Sequence, residues 1–207
     1  MNKVYVLGVG PGSPDYVLPI VTKLVSESDI IIGGQRNLDI FQLADKKTMI
    51  IKNNLAEIVD EIKAKRDLYT ISVLVSGDPG FYSMLNFLLQ HFDKEDLEVI
   101  AGISSTQYLI SRMKTCWQDA VLTSLHGRMD DDLINIVGNN RKVVLLTDYQ
   151  FSADKIASYL LDKGISGKRI TVGENLSYPD ERIVEGSLKD ISQINNFKMS
   201  VMVIEDE

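Results

Sequence analysis

Val4-Tyr5-Val6-Leu7-Gly8-Val9-Gly10-Pro11-Gly12 is a short apolar, β-branched run that stops at glycines. This is the pattern of a buried strand that delivers its backbone into a tight loop. Residues 16–27 follow with Leu18, Val21, Leu24 and Val25 on one helical face, and Asp15 is available as the cap. Strand, glycine turn and helix in that order begin a βαβ unit. The theme then repeats. Asp29-Ile30-Ile31-Ile32 reads as a second buried strand ended by Gly33-Gly34, and Leu55, Ile58, Val59 and Ile62 mark a helix over 55–65. A third strand over 70–75 runs into Ser76-Gly77-Asp78-Pro79-Gly80. Residues 81–92 read as an apolar helix, and 97–100 as a strand entering Gly102. The alternation predicts a mostly parallel sheet with flanking helices.

The second half has a different character. Strands are predicted over 120–125, 142–147, 169–174, 181–185 and 200–204, with 153–163 the one strong helix among them. Tyr178-Pro179-Asp180 is a turn between the third and fourth of these strands and predicts an antiparallel hairpin. The chain is therefore expected to divide into an α/β domain over 1–114 and a mixed α+β domain over 119–207.

Composition narrows the function. Of 207 residues, 22 are Lys or Arg and 29 are Asp or Glu, for a net charge of −7. That balance argues against nucleic acid as the main partner, because neutralising phosphates needs clustered cations. Cys116 is the single cysteine, so neither a disulfide framework nor a cysteine-based zinc site is expected, and no metal is assigned. The apolar stretch over 1–10 is broken by glycines and lacks a cleavage signal, and no run approaches the ~20 apolar residues of a membrane span. A soluble, cytoplasmic protein is expected.

Four segments offer chemistry. The glycines over 8–12 let a backbone approach a ligand and point N–H groups at it, which suits a nucleotide-containing cofactor. A dinucleotide fold requires G-x-G-x-x-G and an acid after the second strand. Here Pro11 and Ser13 interrupt the motif and the second strand ends in Gly33-Gly34-Gln35, which disfavours a dehydrogenase. The bland alternative is a tight turn with no ligand. Ser76-Gly77-Asp78-Pro79-Gly80 lies at another strand end, where open α/β sheets bind ligands. Asp78 either accepts a bond from a ligand or caps the next helix. Gly102-Ile103-Ser104-Ser105-Thr106 offers hydroxyls and N–H groups at a helix start, with plain capping as the alternative. His126-Gly127-Arg128 places one of the two histidines in a loop beside a guanidinium fork suited to a carboxylate. His91 is expected to face the last carbonyls of a helix, and Cys116, beside Trp117, to be a packing residue.

Together these segments resemble the tetrapyrrole methylase family, through Val6-Leu7-Gly8-Val9-Gly10-Pro11-Gly12, Ser76-Gly77-Asp78-Pro79 and Gly102-Ile103-Ser104-Ser105. Trp117-Gln118-Asp119-Ala120, Ser124-Leu125-His126-Gly127-Arg128 and Gly173-Glu174-Asn175-Leu176-Ser177-Tyr178-Pro179-Asp180-Glu181-Arg182-Ile183 resemble its branch acting on carbon 5 of precorrin-7 or cobalt-precorrin-7. The resemblance covers nearly the whole chain. It implies two α/β domains with S-adenosylmethionine in the cleft between them, usually within a homodimer. Carried over by motif, the cofactor contacts are Pro11, Ser76, Gly77, Asp78, Phe81, Ser104 and Ser105, with Thr147 and Leu176 at the adenine end. The acid that commonly follows the first glycine loop is displaced here to Asp15. The chain ends at Glu207, so carbon-15 methylation and decarboxylation are expected from a separate protein. His126 is the candidate for proton handling or substrate contact, and Arg128 and Arg36 for the substrate's carboxylates. The net charge of −7 then requires a local basic lining. The alternatives are another methylase of the same fold acting on a different precorrin position, a protein or an RNA, and a non-catalytic nucleotide-binding module.

Overall fold

Strands β1 (Val4–Gly8), β2 (Ile30–Gly33), β3 (Lys47–Ile50), β4 (Ile71–Val75) and β5 (Leu97–Ile100) are all parallel and lie in the order β3-β2-β4-β1-β5. They belong to a computed structural model that describes residues 2–125, 131–148, 150–198 and 200–207. By its contacts the chain forms two compact units, Met1–Ser104 and Ser105–Glu207. In the first unit, strand alternation sorts the side chains onto two faces. Val4, Val6, Ile30, Ile32, Ile71, Val73 and Val75 pack with Ile58, Val59 and Ile62 of α3 (Leu55–Lys65) and with Leu88 of α4 (Leu85–Leu88). Leu7, Ile31 and Leu74 meet Val21 and Val25 of α1 (Pro19–Glu27) and Leu38 of α2 (Gln35–Leu38). Both faces are covered, which is why these strands read as continuous apolar runs. A polar pair within this core is satisfied: the buried hydroxyls of Ser28 and Ser72 are 2.7 Å apart, and Ser28 Oγ also donates to the Leu24 carbonyl at 2.8 Å.

The sequence expectations need three corrections here. The first helix starts at Pro19 rather than at 16, with Leu18 as an extended cap. Asp15 is not its cap; it lies in a separate 3-10 turn over Pro14–Tyr16, where Ser13 Oγ accepts the Asp15 N–H at 3.2 Å. The helix expected over 81–92 shrinks to α4, because Tyr82 takes a positive φ of 47° and Ser83 Oγ donates to the Pro79 carbonyl at 2.6 Å. Strand β3 escapes the sequence reading because it is a mostly exposed edge strand without an apolar run.

The second unit contains α5 (Ser105–Met113), β6 (Val121–Ser124), α6 (Asp131–Asn139), β7 (Lys142–Leu146), α7 (Ala153–Asp162), β8 (Lys168–Glu174), β9 (Arg182–Ser187), α8 (Leu188–Ser192) and β10 (Ser200–Asp206). Its sheet runs β6-β7-β10-β8-β9, with β6 and β7 parallel and the other neighbours antiparallel, so the mixed sheet and the β8–β9 hairpin are as expected. Helix α7 is not alone, as α6 and α8 join it. Ile156, Ala157 and Leu160 of α7 and Leu188 and Ile191 of α8 cover Val143, Leu145, Ile170, Val172, Met202 and Ile204. The opposite face of the sheet, Val144, Val201 and Val203, packs on Tyr108, Leu109 and Ile110 of α5.

Helix α8 carries a capping box. Ser187 Oγ accepts the Asp190 N–H at 3.2 Å, and Asp190 Oδ2 accepts the Ser187 N–H at 2.9 Å and its hydroxyl at 2.7 Å. The Ser187 hydroxyl, then its backbone N–H, hold the Asp190 carboxyl below its ordinary value. Glu61 is lowered likewise by Lys47 and then Lys65. A carboxylate with a depressed folded pKa adds stability that is present above its unfolded value, near ~4, and lost as pH falls through the folded value. Asp190→Asn is therefore expected to melt below the wild type at pH 7, with the gap closing as pH falls below about 4. Melting scans of both proteins between these pH values check this, and a gap independent of pH would contradict it.

Candidate active site

Strands β1 and β4 are neighbours, yet the connection from β1 runs toward β2 while that from β4 crosses to β5. Connections that leave in opposite directions open a crevice at the carboxyl ends of such strands. Three loops meet there through their glycines. A Cβ at Gly8 would stand 2.6 Å from Gly102 N and 2.7 Å from the Gly77 carbonyl oxygen. At Gly102 it would stand 2.1 Å from that same oxygen. The Gly77 N–H donates to the Gly10 carbonyl at 2.8 Å, both residues at positive φ (65° and 81°). Only glycine allows main chain to meet main chain this closely. Pro11 follows Gly10 directly in this turn.

Asp78 ties two of the loops together. Its Oδ1 accepts the Gly80 N–H at 2.8 Å and its Oδ2 the Gly102 N–H at 3.1 Å. Both carboxylate oxygens thus serve the backbone, and no helix starts where Asp78 was expected to cap one. Ser76 Oγ donates to Asn37 Oδ1 at 2.9 Å. Phe81 is half-buried, with its ring edge-to-face on Tyr82 at 4.9 Å. Ser104 is buried and closes the first unit, while Ser105 opens α5 in the second.

The second unit brings Thr147 and Leu176 to one edge of its own sheet. Ser200 at the start of β10 is opposite Glu174 at the end of β8, and the Thr147 N–H donates to the Ser200 carbonyl at 3.1 Å. The return bond is unusual: the Ser200 N–H goes to Thr147 Oγ1 at 3.2 Å. In a continuing antiparallel ladder the Thr147 carbonyl would accept it, so the hydroxyl releases that carbonyl from the sheet. Leu176 is buried against Gly173, where a Cβ would stand 2.7 Å from Leu176 Cδ2. The loop carrying Leu176 has Asn175 and Ser177 at positive φ (47° and 67°). Asn175 Nδ2 donates to Asp180 Oδ2 at 2.7 Å, and the Ser177 N–H to Glu181 Oε2 at 2.7 Å. Beneath the loop, Glu174 Oε2 takes Nε and Nη2 of Arg182, both at 2.8 Å, and Oε1 takes the Lys198 N–H at 2.5 Å.

His126 and Arg128 lie outside the described residues. Arg36 sits on the exposed side of α2. His91 is exposed and stacks edge-to-face on Phe87 at 4.6 Å. Cys116 is exposed as well, against the packing role expected of it. A surface groove of about 430 Å³ lined by Lys63, Arg66, His91 and Phe92, among others, lies at the amino-terminal edge of the first sheet, away from the glycine loops. Among the described residues no cluster of three His, Cys, Asp or Glu side chains is placed to hold a metal, and no helix is long and apolar enough to cross a membrane. Asn37, Glu174 and Arg182 are supporting residues whose role no motif in the sequence singles out. Glu174 and Arg182 become legible once the hairpin is drawn, because it sets them opposite each other.

The profile of Tetrapyrrole (Corrin/Porphyrin) Methylases matches residues 3–192, and the chain belongs to that family. Within it, the chain is 34% identical, over 99% of its own length and 98% of the relative's, to the probable cobalt-precorrin-7 C(5)-methyltransferase of Methanocaldococcus jannaschii. The precorrin-6Y methylase of Archaeoglobus fulgidus superposes with a TM-score of 0.77 at 20% identity, covering 99% of this chain and 98% of that one. The uroporphyrin-III C-methyl transferase of Thermus thermophilus, complexed with S-adenosyl homocysteine, gives 0.76 at 22%, covering 99% and 92%. These two likenesses speak for the fold.

Proposed function

We propose that the chain is an S-adenosylmethionine-dependent methyltransferase acting on carbon 5 of the precorrin-7 macrocycle, or its cobalt form, in cobalamin synthesis. The near full-length identity to the M. jannaschii protein carries this reading. Its cofactor contacts in our reading are Pro11, Ser76, Gly77, Asp78, Phe81, Ser104, Ser105, Thr147 and Leu176. The residues fit that group. Main chain freed of side chains at Gly8, Gly77 and Gly102 suits the polar ends of an amino-acid nucleoside, and Phe81 and Leu176 suit its flat apolar surfaces. Because both oxygens of Asp78 and the hydroxyls of Ser76 and Thr147 have partners, these residues act mainly through the backbone they shape.

When bound, S-adenosylmethionine supplies an electrophilic methyl group on a sulfonium centre. The protein's part is positioning, for which aligned geometry is worth ~7–11 kcal/mol, against ~10²–10⁴-fold for a general base. The His126 imidazole is our candidate to take up a proton or contact the substrate, and Arg128 and Arg36 are those for its carboxylates. We read the protein as a homodimer working in the cytoplasm.

Calorimetric titration with S-adenosylhomocysteine, with NAD as control, tests the reading first. Saturable binding of the former alone is expected, and ligand at ~100 times its Kd should add ~2.7 kcal/mol, or roughly 5–10 °C in Tm. Turnover with precorrin-7 or cobalt-precorrin-7 should follow, with His126→Ala lowering kcat and leaving the Kd for S-adenosylhomocysteine nearly unchanged. Binding of neither ligand, or binding without methyl transfer to that ring, would overturn the assignment.

A further inference from the structure

We infer that Asn37 is a positioning residue for the cofactor loop, tying Ser76-Gly77 to the turn that presents Arg36; this rests on the proposed function. Helix α2 is a single turn, started where β2 leaves the sheet at Gly33 and fixed by the Asn37 and Leu38 N–H groups donating to the Gly34 carbonyl at 2.9 and 3.1 Å. Leu38 anchors the turn in the core, and Gln35 and Arg36 are left on its exposed side. The side chain of Asn37 points the other way and is only 8% exposed. Its two ends serve different groups. Nδ2 donates to the Leu74 carbonyl near the end of β4 at 3.4 Å, and Oδ1 accepts the Ser76 hydroxyl at 2.9 Å.

An amide of this kind fixes the direction in which β4 delivers its loop. Gly77, one residue beyond Ser76, makes the close approaches to Gly8 and Gly102, so a shift of Ser76 passes directly into the three-glycine contact. Because buried polar groups must keep a partner, movement of α2 and movement of the loop are coupled through Asn37. Arg36, the preceding residue in the same turn, then takes its place relative to the cofactor loop from the same bond. Asn37 itself touches neither ligand in this account and acts through Ser76.

A double-mutant cycle on S-adenosylhomocysteine affinity tests this, using the full chain with Asn37→Ala, Ser76→Ala and the pair. Each single change is expected to weaken binding ~5–10-fold and the pair no more than either alone, a coupling of roughly 1–1.4 kcal/mol. The KM for the methyl donor should rise by the same factor while kcat stays within about threefold of wild type. Asn37→Asp keeps an acceptor for the Ser76 hydroxyl but sets a carboxylate oxygen against the Leu74 carbonyl, so its affinity should fall between that of Asn37→Ala and the wild type. Asn37→Leu, which likewise removes both bonds of the amide, stands in against Ser76→Ala if the alanine variant does not fold. Unchanged affinity in a folded Asn37→Ala or Ser76→Ala protein, or losses that multiply in the pair, would overturn the inference. Wild-type protein that fails to bind S-adenosylhomocysteine would sink the reading of the site and this inference with it. Wild-type binding with unaltered variants would sink the inference alone.

Discussion

Gly102→Ala is expected to abolish S-adenosylhomocysteine binding and to cost about 3 kcal/mol of stability or more, at the upper end of overpacking penalties. The added Cβ would lie 2.1 Å from the Gly77 carbonyl oxygen and 2.7 Å from the Gly8 carbonyl carbon, both backbone atoms. Neither can give way easily. Gly77 is held by its bond to Gly10, and Gly8 is the last residue of β1. The Gly102 N–H is itself fixed by Asp78. The loops must separate, and the surface they form together is lost. Gly34→Ala is the matched control, because its Cβ would meet nothing within 4 Å and its φ of −63° suits alanine. Thermal melts and ligand titrations on both variants decide the matter. A Gly102→Ala protein that binds within twofold of wild type would mean the three loops do not meet as described.

The second large effect is expected in the other unit. Arg182→Met should lower stability by about 2–3 kcal/mol, or roughly 5–10 °C in Tm. Breaking a fully buried ion pair from one side costs ~3–5 kcal/mol, because the remaining charge is stranded. Glu174 fits that case with a side chain only 7% exposed, but Arg182 is 43% exposed, so water enters and lowers the figure. Methionine keeps an apolar stem where the guanidinium now lies 4.8 Å from the Phe197 ring centre, which isolates the loss of charge. The double variant Glu174→Leu/Arg182→Met should recover much of the loss, as apolar replacement of both partners does elsewhere. If Arg182→Met melts with the wild type, Glu174 is satisfied without its cation. Because β8 and β9 frame the loop that carries Leu176, weaker ligand binding should accompany the fall in Tm.

Much of the fold was legible because burial leaves a periodic trace. Helix α3 matches its expected span, and β1, β2 and β4 show as apolar runs because both faces of their sheet are covered. What was missed lacks such a trace. Strand β3 is held by its ladder to β2 rather than by buried side chains, and α4 is cut short by a positive φ at Tyr82 that composition does not encode. The glycine loops stood out as candidates in the sequence. Their mutual contact did not, since nothing local says that Gly8, Gly77 and Gly102 meet. Asn37 is a lone buried amide, and no spacing rule points to such a residue. For Asp78 the sequence offered a ligand contact or a helix cap, whereas its oxygens bind the N–H groups of Gly80 and Gly102.

The placement of β10 has a consequence for how the protein is made. Residues 200–206 form the middle strand of the second sheet, between β7 and β8. During synthesis at ~5–20 residues per second, β7, β8 and β9 leave the ribosome before the strand that joins them. The nascent chain thus carries two sheet fragments with unpaired inner edges, the kind of edge that invites pairing with other chains. Residues 1–104 hold all five strands of the first sheet and can close it well before that. Emergence of residues 200–206 is the event that zips the second sheet shut.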